Sequence, residues 1–114
     1  MKKTFYLFLI IFLSLGCQNN GAEMNPFLKE YDTPYQIPPF EKIEFSHYEP
    51  AFEAGMKQHL SDIDSIATNK EQPTFENTIA ELERSGKTLD KVSSVFFNLL
   101  GSNTSDEMDA LAVK

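Results

Sequence analysis

Two histidines, His47 and His59, are the residues of this sequence best suited to bind a metal ion or to act as a catalytic base. The zinc-peptidase motif His-Glu-x-x-His places two histidines one helical turn apart, so that both face the metal, and its glutamate activates water. Here Tyr48 and Leu60 follow the histidines, which stand twelve positions apart, or about 18 Å along a helix axis. The sequence therefore predicts no metal ligand and no catalytic residue in this chain.

The acidic residues also lack the arrangement that paired carboxylate catalysis requires. Asp62 and Asp64 are separated by one residue, and Glu81 and Glu83 repeat that spacing. On a helix, residues at this spacing point in different directions. We interpret these carboxylates as parts of solvated helix faces.

The single cysteine, Cys17, follows a leader of the export type. Lys2 and Lys3 precede an apolar run from Phe5 to Leu15, which is shorter than the roughly 20 residues that cross a bilayer. A cysteine after such a run resembles a bacterial lipobox, in which the thiol is acylated and the cysteine becomes the new N-terminus. We expect residues 1–17 to be a lipoprotein-type signal peptide ending at Cys17.

One position departs from the lipobox pattern, because Ser14 stands where an aliphatic residue is usual. Ordinary secretion is therefore the alternative to lipidation at Cys17. In either case we expect an exported protein. The lipid-anchored form would lie in the bacterial cell envelope, in the periplasm or at the outer membrane, and an acyl chain would attach it to the membrane without spanning it.

Composition and charge restrict the possible partners. The 114 residues have a formal net charge of −7 and contain no basic cluster beyond the leader. We therefore expect no nucleic-acid partner. A hydrophobic content of 41%, with ten phenylalanines, is typical of a folded domain with a core.

Prolines separate an extended arm from the helices. Four of the six prolines fall between Met24 and Glu44, and proline disfavours helix both at its own position and at the one before it. We expect residues 18–45 to form a tether and a Pro-rich extended arm that buries its apolar residues along the helices. These residues are Phe27, Leu28, Tyr31, Tyr35, Ile37, Phe40, Ile43 and Phe45.

Two amphipathic helices are predicted to form a hairpin. Ser46 and Glu49 fit a capping box for the first helix, which runs to about Ala67. Thr74 caps the second helix, which we expect to continue to Leu100. A short connection makes such helices antiparallel, with their apolar stripes facing each other. The two stripes are Tyr48, Phe52, Met56, Leu60, Ile63 and Ile66, and Phe75, Ile79, Leu82, Leu89, Val92, Phe96 and Leu99.

The second helix is predicted to be unbroken, with a length of about 40 Å. Its stripe keeps phase through Ser85-Gly86, and a glycine costs a helix only about 1 kcal/mol relative to alanine. A third helix is expected after a turn at 101–105, with Thr104 and Glu107 as its cap. The sequence ends at Lys114 after barely two turns of that helix, which favours a chain that continues.

The segments PTFENT, LERSGK and SVFFNLLGSNTSDEM resemble the N-terminal region of the zinc metallopeptidases of the thimet oligopeptidase and peptidyl-dipeptidase family. They are most similar to the bacterial peptidyl-dipeptidases. The resemblance begins at Asn25-Pro26 and runs to Lys114. It implies a helical protein of two lobes around a deep channel, with zinc at the channel floor and short peptides as substrates. No residue here matches the family's metal or catalytic motifs.

The predicted organisation is thus a signal peptide at 1–17, a tether and arm at 18–45, and the truncated N-terminal helical part of a peptidase domain at 46–114. The fold class is all-α, a helical hairpin plus the start of a third helix. We expect a full-length zinc metallopeptidase whose catalytic motif lies beyond this chain, with the fragment inactive alone. The alternative is a non-enzymatic helical lipoprotein that acts as a binding or scaffold module.

Overall fold

The computed structural model describes residues 24–114, so the predicted signal peptide, Cys17 and the tether at 18–23 lie outside the described residues. The described part is all-α and contains no strand. This confirms the predicted fold class. Helix α1 spans Tyr48–Ala67, α2 spans Glu81–Arg84, α3 spans Lys87–Ser102 and α4 spans Asp106–Ala112, and a π-helical segment, Phe75–Ala80, leads directly into α2. No helix in this range is long and apolar enough to cross a membrane.

The Pro-rich arm is extended and turn-rich, as predicted. It contains short 3₁₀ turns at Pro26–Leu28, Pro34–Gln36, Phe40–Lys42 and Phe45–His47. Its beginning is fixed by Asn25, whose Nδ2 donates to the carbonyl oxygen of His47 at 2.8 Å. Further along, Lys91 Nζ donates to the carbonyl oxygen of Lys29 at 3.0 Å. These bonds hold the first part of the arm against the helices.

The prediction that the arm buries all its apolar residues is wrong. Phe27 is fully buried, and Tyr31 and Ile43 pack against the core. The remaining apolar side chains of the arm stay exposed, and four of these five lie after the two anchoring bonds, at Asn25 and Lys29, that hold its beginning. These exposed residues are Leu28, Tyr35, Ile37, Phe40 and Phe45.

Helix α1 ends at Ala67 as predicted but does not begin with the predicted Ser46–Glu49 box. Ser46 lies inside the turn Phe45–His47, which runs straight into α1, so its hydroxyl does not cap the helix. The cap is Glu44, whose backbone N–H donates to Nδ1 of His47 at 3.0 Å. The helical entry thus lies two residues earlier than the sequence pattern suggested.

Helices α1 and α3 form the predicted antiparallel hairpin. Tyr48 at the start of α1 contacts Phe96 late in α3, and Gly55 further along α1 meets Leu89 early in α3. A Cβ added at Gly55 would lie 2.9 Å from the Cα atom of Leu89, so the glycine permits the close helix crossing. The buried hydrophobic residues of the described part are Phe27, Tyr48, Ala51, Val92, Val95, Phe96 and Met108.

The aromatic rings of the core form a connected cluster around Phe96. Its ring centroid lies 5.1 Å from that of Tyr48 and 5.4 Å from that of Phe52, in edge-to-face arrangements. Tyr48 in turn lies 5.3 Å from Phe27 of the arm. Such contacts add about 0.5–1.5 kcal/mol each beyond the area they bury. Tyr48 of α1 therefore connects the Phe96 cluster of the hairpin with the arm.

The prediction of one unbroken helix from Thr74 to Leu100 is wrong. The chain leaves helical geometry at Ser85 (φ −72°, ψ 158°) and adopts a left-handed conformation at Gly86 (φ 71°). Ser85 Oγ donates to the carbonyl oxygen of Leu82 at 2.6 Å, so the side chain satisfies a backbone group that the helix releases. Glycine tolerates positive φ at little cost. The apolar residues keep their helical spacing across Ser85-Gly86, so the hydrophobic pattern gives no sign of the break.

The short helix α4 is present, but its cap is one residue later than predicted. Ser105 Oγ accepts from the backbone N–H of Met108 at 3.3 Å. Thr104 instead donates its hydroxyl to Asp109 Oδ1 at 2.8 Å. Met108 is buried in the core and Leu111 packs against it, so these two side chains fix α4 to the hairpin.

Substitution of Phe96 tests the aromatic cluster. Phe96→Ala should lower the free energy of unfolding of residues 24–114 by about 3–5 kcal/mol, because it removes a fully buried ring and leaves a cavity. Phe97→Ala is the matched control, since Phe97 is the neighbouring residue and is 54% exposed. Urea denaturation followed by far-UV circular dichroism compares the two, and equal losses would contradict the assignment of Phe96 to the centre of the core.

Substitution of Gly86 tests the helix break. Gly86→Ala should destabilise the chain by about 1–2 kcal/mol from the left-handed backbone alone, and its Cβ would also lie 2.7 Å from His59 Nδ1. Gly101→Ala is the control, because a Cβ there meets nothing within 4 Å and alanine favours helix. The same unfolding measurement should give opposite signs, and a stabilising Gly86→Ala would mean that the helix is continuous.

Candidate functional surfaces

The two histidines have structural surroundings and lie apart. His47 accepts the backbone N–H of Glu44 and so caps the entry to α1. His59 lies in the second half of α1, and its ring packs against Gly86 at the helix break, with Nδ1 buried and without a hydrogen-bond partner. Within residues 24–114, no three His, Cys, Asp or Glu side chains are placed to hold a metal ion.

The carboxylates considered in the sequence serve different local contacts. Asp62 Oδ2 accepts the backbone N–H of Gly86 at 3.4 Å, and its Oδ1 accepts Gln58 Nε2 at 2.8 Å. Glu81 pairs with Arg84, while Asp64 and Glu83 are exposed. Neither close pair brings two carboxyl groups to one point, which leaves them without a shared catalytic role.

A polar groove of about 260 Å³ lies between the end of α1 and the segment Phe75–Arg84. Its residues are Asp62, Ser65, Ile66, Asn69, Asn77, Glu81, Arg84 and Ser85. Arg84 donates to Glu76 and to Glu81, each at 2.7 Å. The hydrogen bond to Glu76, followed by that to Glu81, raises the pKa of the Arg84 guanidinium. These groups are exposed, where ion pairs contribute little to stability. The groove offers hydrogen bonds but no nucleophile paired with a general base.

Beside this groove lies an exposed apolar surface, which we call the 75–82 face after its residues Phe75, Ile79 and Leu82. Their side chains are 73%, 51% and 49% exposed. A shallow depression of about 380 Å³ runs along Phe75 and Ile79 and is bordered by Glu83 and Arg84. These residues form the first half of the stripe predicted for the long helix, and they contribute nothing to the core.

A second apolar surface lies between α1, α3 and α4. The groove has a volume of about 330 Å³ and is lined by Phe52, Met56, Phe97 and Leu111, among others. Lys114 reaches its edge and donates a hydrogen bond to Glu49, which raises the pKa of the lysine. This groove is shaped by three helices of the chain itself, whereas the 75–82 face is flanked by a single segment.

Tyr31 is a partly buried titratable group near the arm. Its hydroxyl oxygen is buried without a hydrogen-bond partner, and Lys91 Nζ lies 4.8 Å from its ring centroid. Burial is the main cause that raises the pKa of Tyr31, and the charges of Tyr48 and Glu30 raise it further. Burial also raises the pKa of Tyr48. Both phenols are thus held in the neutral form.

Comparison with known proteins gives two curated relatives. The dipeptidyl carboxypeptidase of Escherichia coli (strain K12) is 47% identical over 88 residues, which are 77% of this chain and 13% of the relative. The dipeptidyl carboxypeptidase of Salmonella typhimurium (strain LT2) is 41% identical over 87 residues, 76% of this chain and 13% of the relative. Over this stretch the chain is similar to the dipeptidyl carboxypeptidases, which are peptidyl-dipeptidases, and it spans only a small part of their length. No protein-family model matches it.

In this chain, the segments that carry the family resemblance mark helix boundaries. In PTFENT, Thr74 and Asn77 cap each other, with Asn77 N donating to Thr74 Oγ1 at 3.1 Å and Thr74 N donating to Asn77 Oδ1 at 2.7 Å. LERSGK contains the break at Ser85 and Gly86, and the end of SVFFNLLGSNTSDEM contains the Ser105 cap. The segments that carry the resemblance thus specify backbone geometry at helix caps and at the helix break.

Cys17, the predicted lipidation residue, lies outside the described residues. Sequence reasoning missed the 75–82 face, because a stripe that keeps phase looks buried along its whole length. The dipeptide Ser85-Gly86 was the available signal, since serine and glycine together favour a turn.

The raised pKa of Tyr31 predicts a loss of stability in alkali. In the unfolded chain the phenol ionises near pH 10, before the folded one does, so the unfolded state holds fewer protons and the free energy of unfolding falls as pH rises. Tyr31→Phe should reduce this loss and leave stability at pH 7 unchanged or slightly higher, because it removes an unpartnered hydroxyl. Tyr35→Phe, at a residue 96% exposed, is the control for urea unfolding measured across the alkaline range.

An alkaline profile of Tyr31→Phe that coincides with those of wild type and Tyr35→Phe would contradict this account of Tyr31.

Proposed function

We propose that this chain is the N-terminal part of an exported zinc metallopeptidase that releases dipeptides from the carboxyl end of short peptides. The observation that carries the proposal is the identity of 47% over 88 residues to a protein named dipeptidyl carboxypeptidase. The matched residues make up 13% of that relative, so the activity belongs to a protein longer than this chain.

In this proposal the chain contributes a structural wall and no chemistry. Its side chains in residues 24–114 do not fit a zinc site, and the resemblance assigns the metal to a His-Glu-x-x-His helix with a further glutamate, which lie in residues beyond this chain. In this proposal the hairpin, which is held by its aromatic core, forms part of the channel that admits short peptides and excludes folded proteins. Neither histidine of the chain has a role in catalysis.

The leader supports the location of the enzyme. This leader follows the plan of a lipoprotein signal, with Lys2 and Lys3, then an apolar run, then Cys17. We propose that a lipid on Cys17 anchors the peptidase in the bacterial cell envelope, where it degrades peptides outside the cytoplasm. A single acyl group alone holds a protein only weakly, and the diacylglycerol of a lipoprotein supplies two chains.

A chelation experiment tests the metal and the reaction together. The full-length protein from the source organism should cleave short peptides with a free carboxyl end into dipeptides. Exhaustive chelation should abolish this activity, and added zinc should restore it, because the metal activates the attacking water. Peptides with an amidated end are the control. Activity that survives chelation, or release of single amino acids, would contradict the proposal, and no hydrolysis at all would favour the non-enzymatic alternative.

Metabolic labelling with a fatty acid tests the anchor at Cys17. The wild-type protein should incorporate the label and sediment with membranes, whereas Cys17→Ser should lose the label and leave the membrane fraction, because the acylated thiol is absent. Ser14→Leu is a useful second variant, since it restores the usual lipobox residue and should keep or increase labelling. An unlabelled wild-type protein that is secreted in soluble form would favour plain secretion.

A further inference from the structure

We infer that the 75–82 face is the surface through which this chain docks against another part of the same peptidase, and that the docking element is an apolar helix face flanked by lysine or arginine. The inference rests on the proposed function, in which the chain is one part of a longer enzyme. It adds the position of the contact and the chemistry of the element that covers it.

The first argument is the contrast within a single stripe of apolar residues. Val92 and Phe96, in its second half, are 0% and 1% exposed, whereas Phe75 and Ile79, in its first half, are 73% and 51% exposed. The spacing of both halves is that of a helix with one buried side. The break at Gly86 separates the first half from the hairpin core, so about half or more of each large apolar side chain, on Phe75, Ile79 and Leu82, stays exposed within residues 24–114.

The second argument concerns the segment that carries the face. The π-helical segment Phe75–Ala80 and α2 together are shorter than the roughly 12–15 residues at which an isolated helix becomes marginally stable in water. A reciprocal cap between Thr74 and Asn77 fixes the segment at its beginning, and Asp62 contacts the break at its end. Caps order a helix but bury no apolar side chain, so the face itself is available for a neighbour.

The third argument selects the chemistry of the neighbour. The segment that carries the face contains three carboxylates, on Glu76, Glu81 and Glu83, and one guanidinium, on Arg84. Arg84 is engaged by Glu76 and Glu81, which leaves Glu83 at the edge of the apolar depression. A basic rim on the docking element complements this charge. A second copy of the chain would present the same acidic rim, because symmetric contacts pair like surfaces.

The fourth argument is that a longer protein contains additional chain that can cover the 75–82 face. The matched residues are only 13% of the length of either relative, so a protein of this family contains far more chain than the hairpin. An exposed face of three large apolar residues is typical of an interface. A contact inside the same polypeptide explains it without a separate partner.

Thiol labelling in the full-length peptidase tests the cover directly. Ile79→Cys reports the face, and Lys70→Cys, at an exposed residue in the turn before it, is the matched control. Maleimide labelling at each site is followed by peptide mass mapping, in native buffer and in urea. Ile79→Cys should label at least about tenfold more slowly in the native protein than in urea, while Lys70→Cys should show little difference. Equal labelling of the two sites in the native protein would overturn the inference.

Further measurements separate the possible occupants. Phe75→Cys repeats the test in case Ile79→Cys fails to fold. Protection that disappears on dilution, together with a dimer mass by light scattering, would assign the face to a second copy and overturn the inference.

A charge reversal tests the basic residues inferred for the docking element. Glu83→Lys should lower the thermal midpoint more at low salt than at high salt, whereas Glu71→Lys should not. Identical effects of the two substitutions would overturn the inference that basic residues flank the docking element.

The labelling result and the peptidase assay fail independently. If the full-length protein shows no metal-dependent dipeptide release but Ile79→Cys is protected, the proposed function is wrong and the intramolecular contact stands. If the enzyme is active and Ile79→Cys labels freely, the docking inference is wrong and the proposed function stands.

Discussion

The crossing of α1 and α3 is the constraint on which the rest of this structure depends. Gly55 brings the two backbones close at Leu89, and this approach places Phe96 within reach of both Tyr48 and Phe52. Phe27 of the arm and Met108 of α4 then complete the same core. A larger residue at the crossing would separate the helices, and the arm and α4 would lose the surface on which they pack.

The features that the sequence predicted well are those set by neighbouring residues. The cap at Thr74, the end of α1 at Ala67 and the extended arm follow from local hydrogen bonds and from proline geometry. The fold class followed from helical spacing. These signals need no knowledge of the rest of the molecule, because each is decided within about one helical turn.

The features that the sequence predicted poorly depend on distant contacts or on single backbone angles. The burial of Phe27 and the exposure of Phe40 cannot be told apart by composition, because anchors such as Lys91 come from elsewhere in the chain. The break at Gly86 is a change at one glycine that leaves the hydrophobic phase intact. The exposed 75–82 face was missed for the same reason, whereas the family resemblance was recognised from segments that encode caps and turns.

The left-handed glycine between α2 and α3 also divides the chain into units of different cooperativity. A continuous helix would transmit stability along its length, so that fraying at Thr74 would be resisted by the packing of Phe96. The break ends that transmission, and the ten residues from Phe75 to Arg84 can open locally while the hairpin stays folded. In hydrogen exchange we expect such a chain to behave as two foldons, with weaker protection in residues 75–84 than in the hairpin.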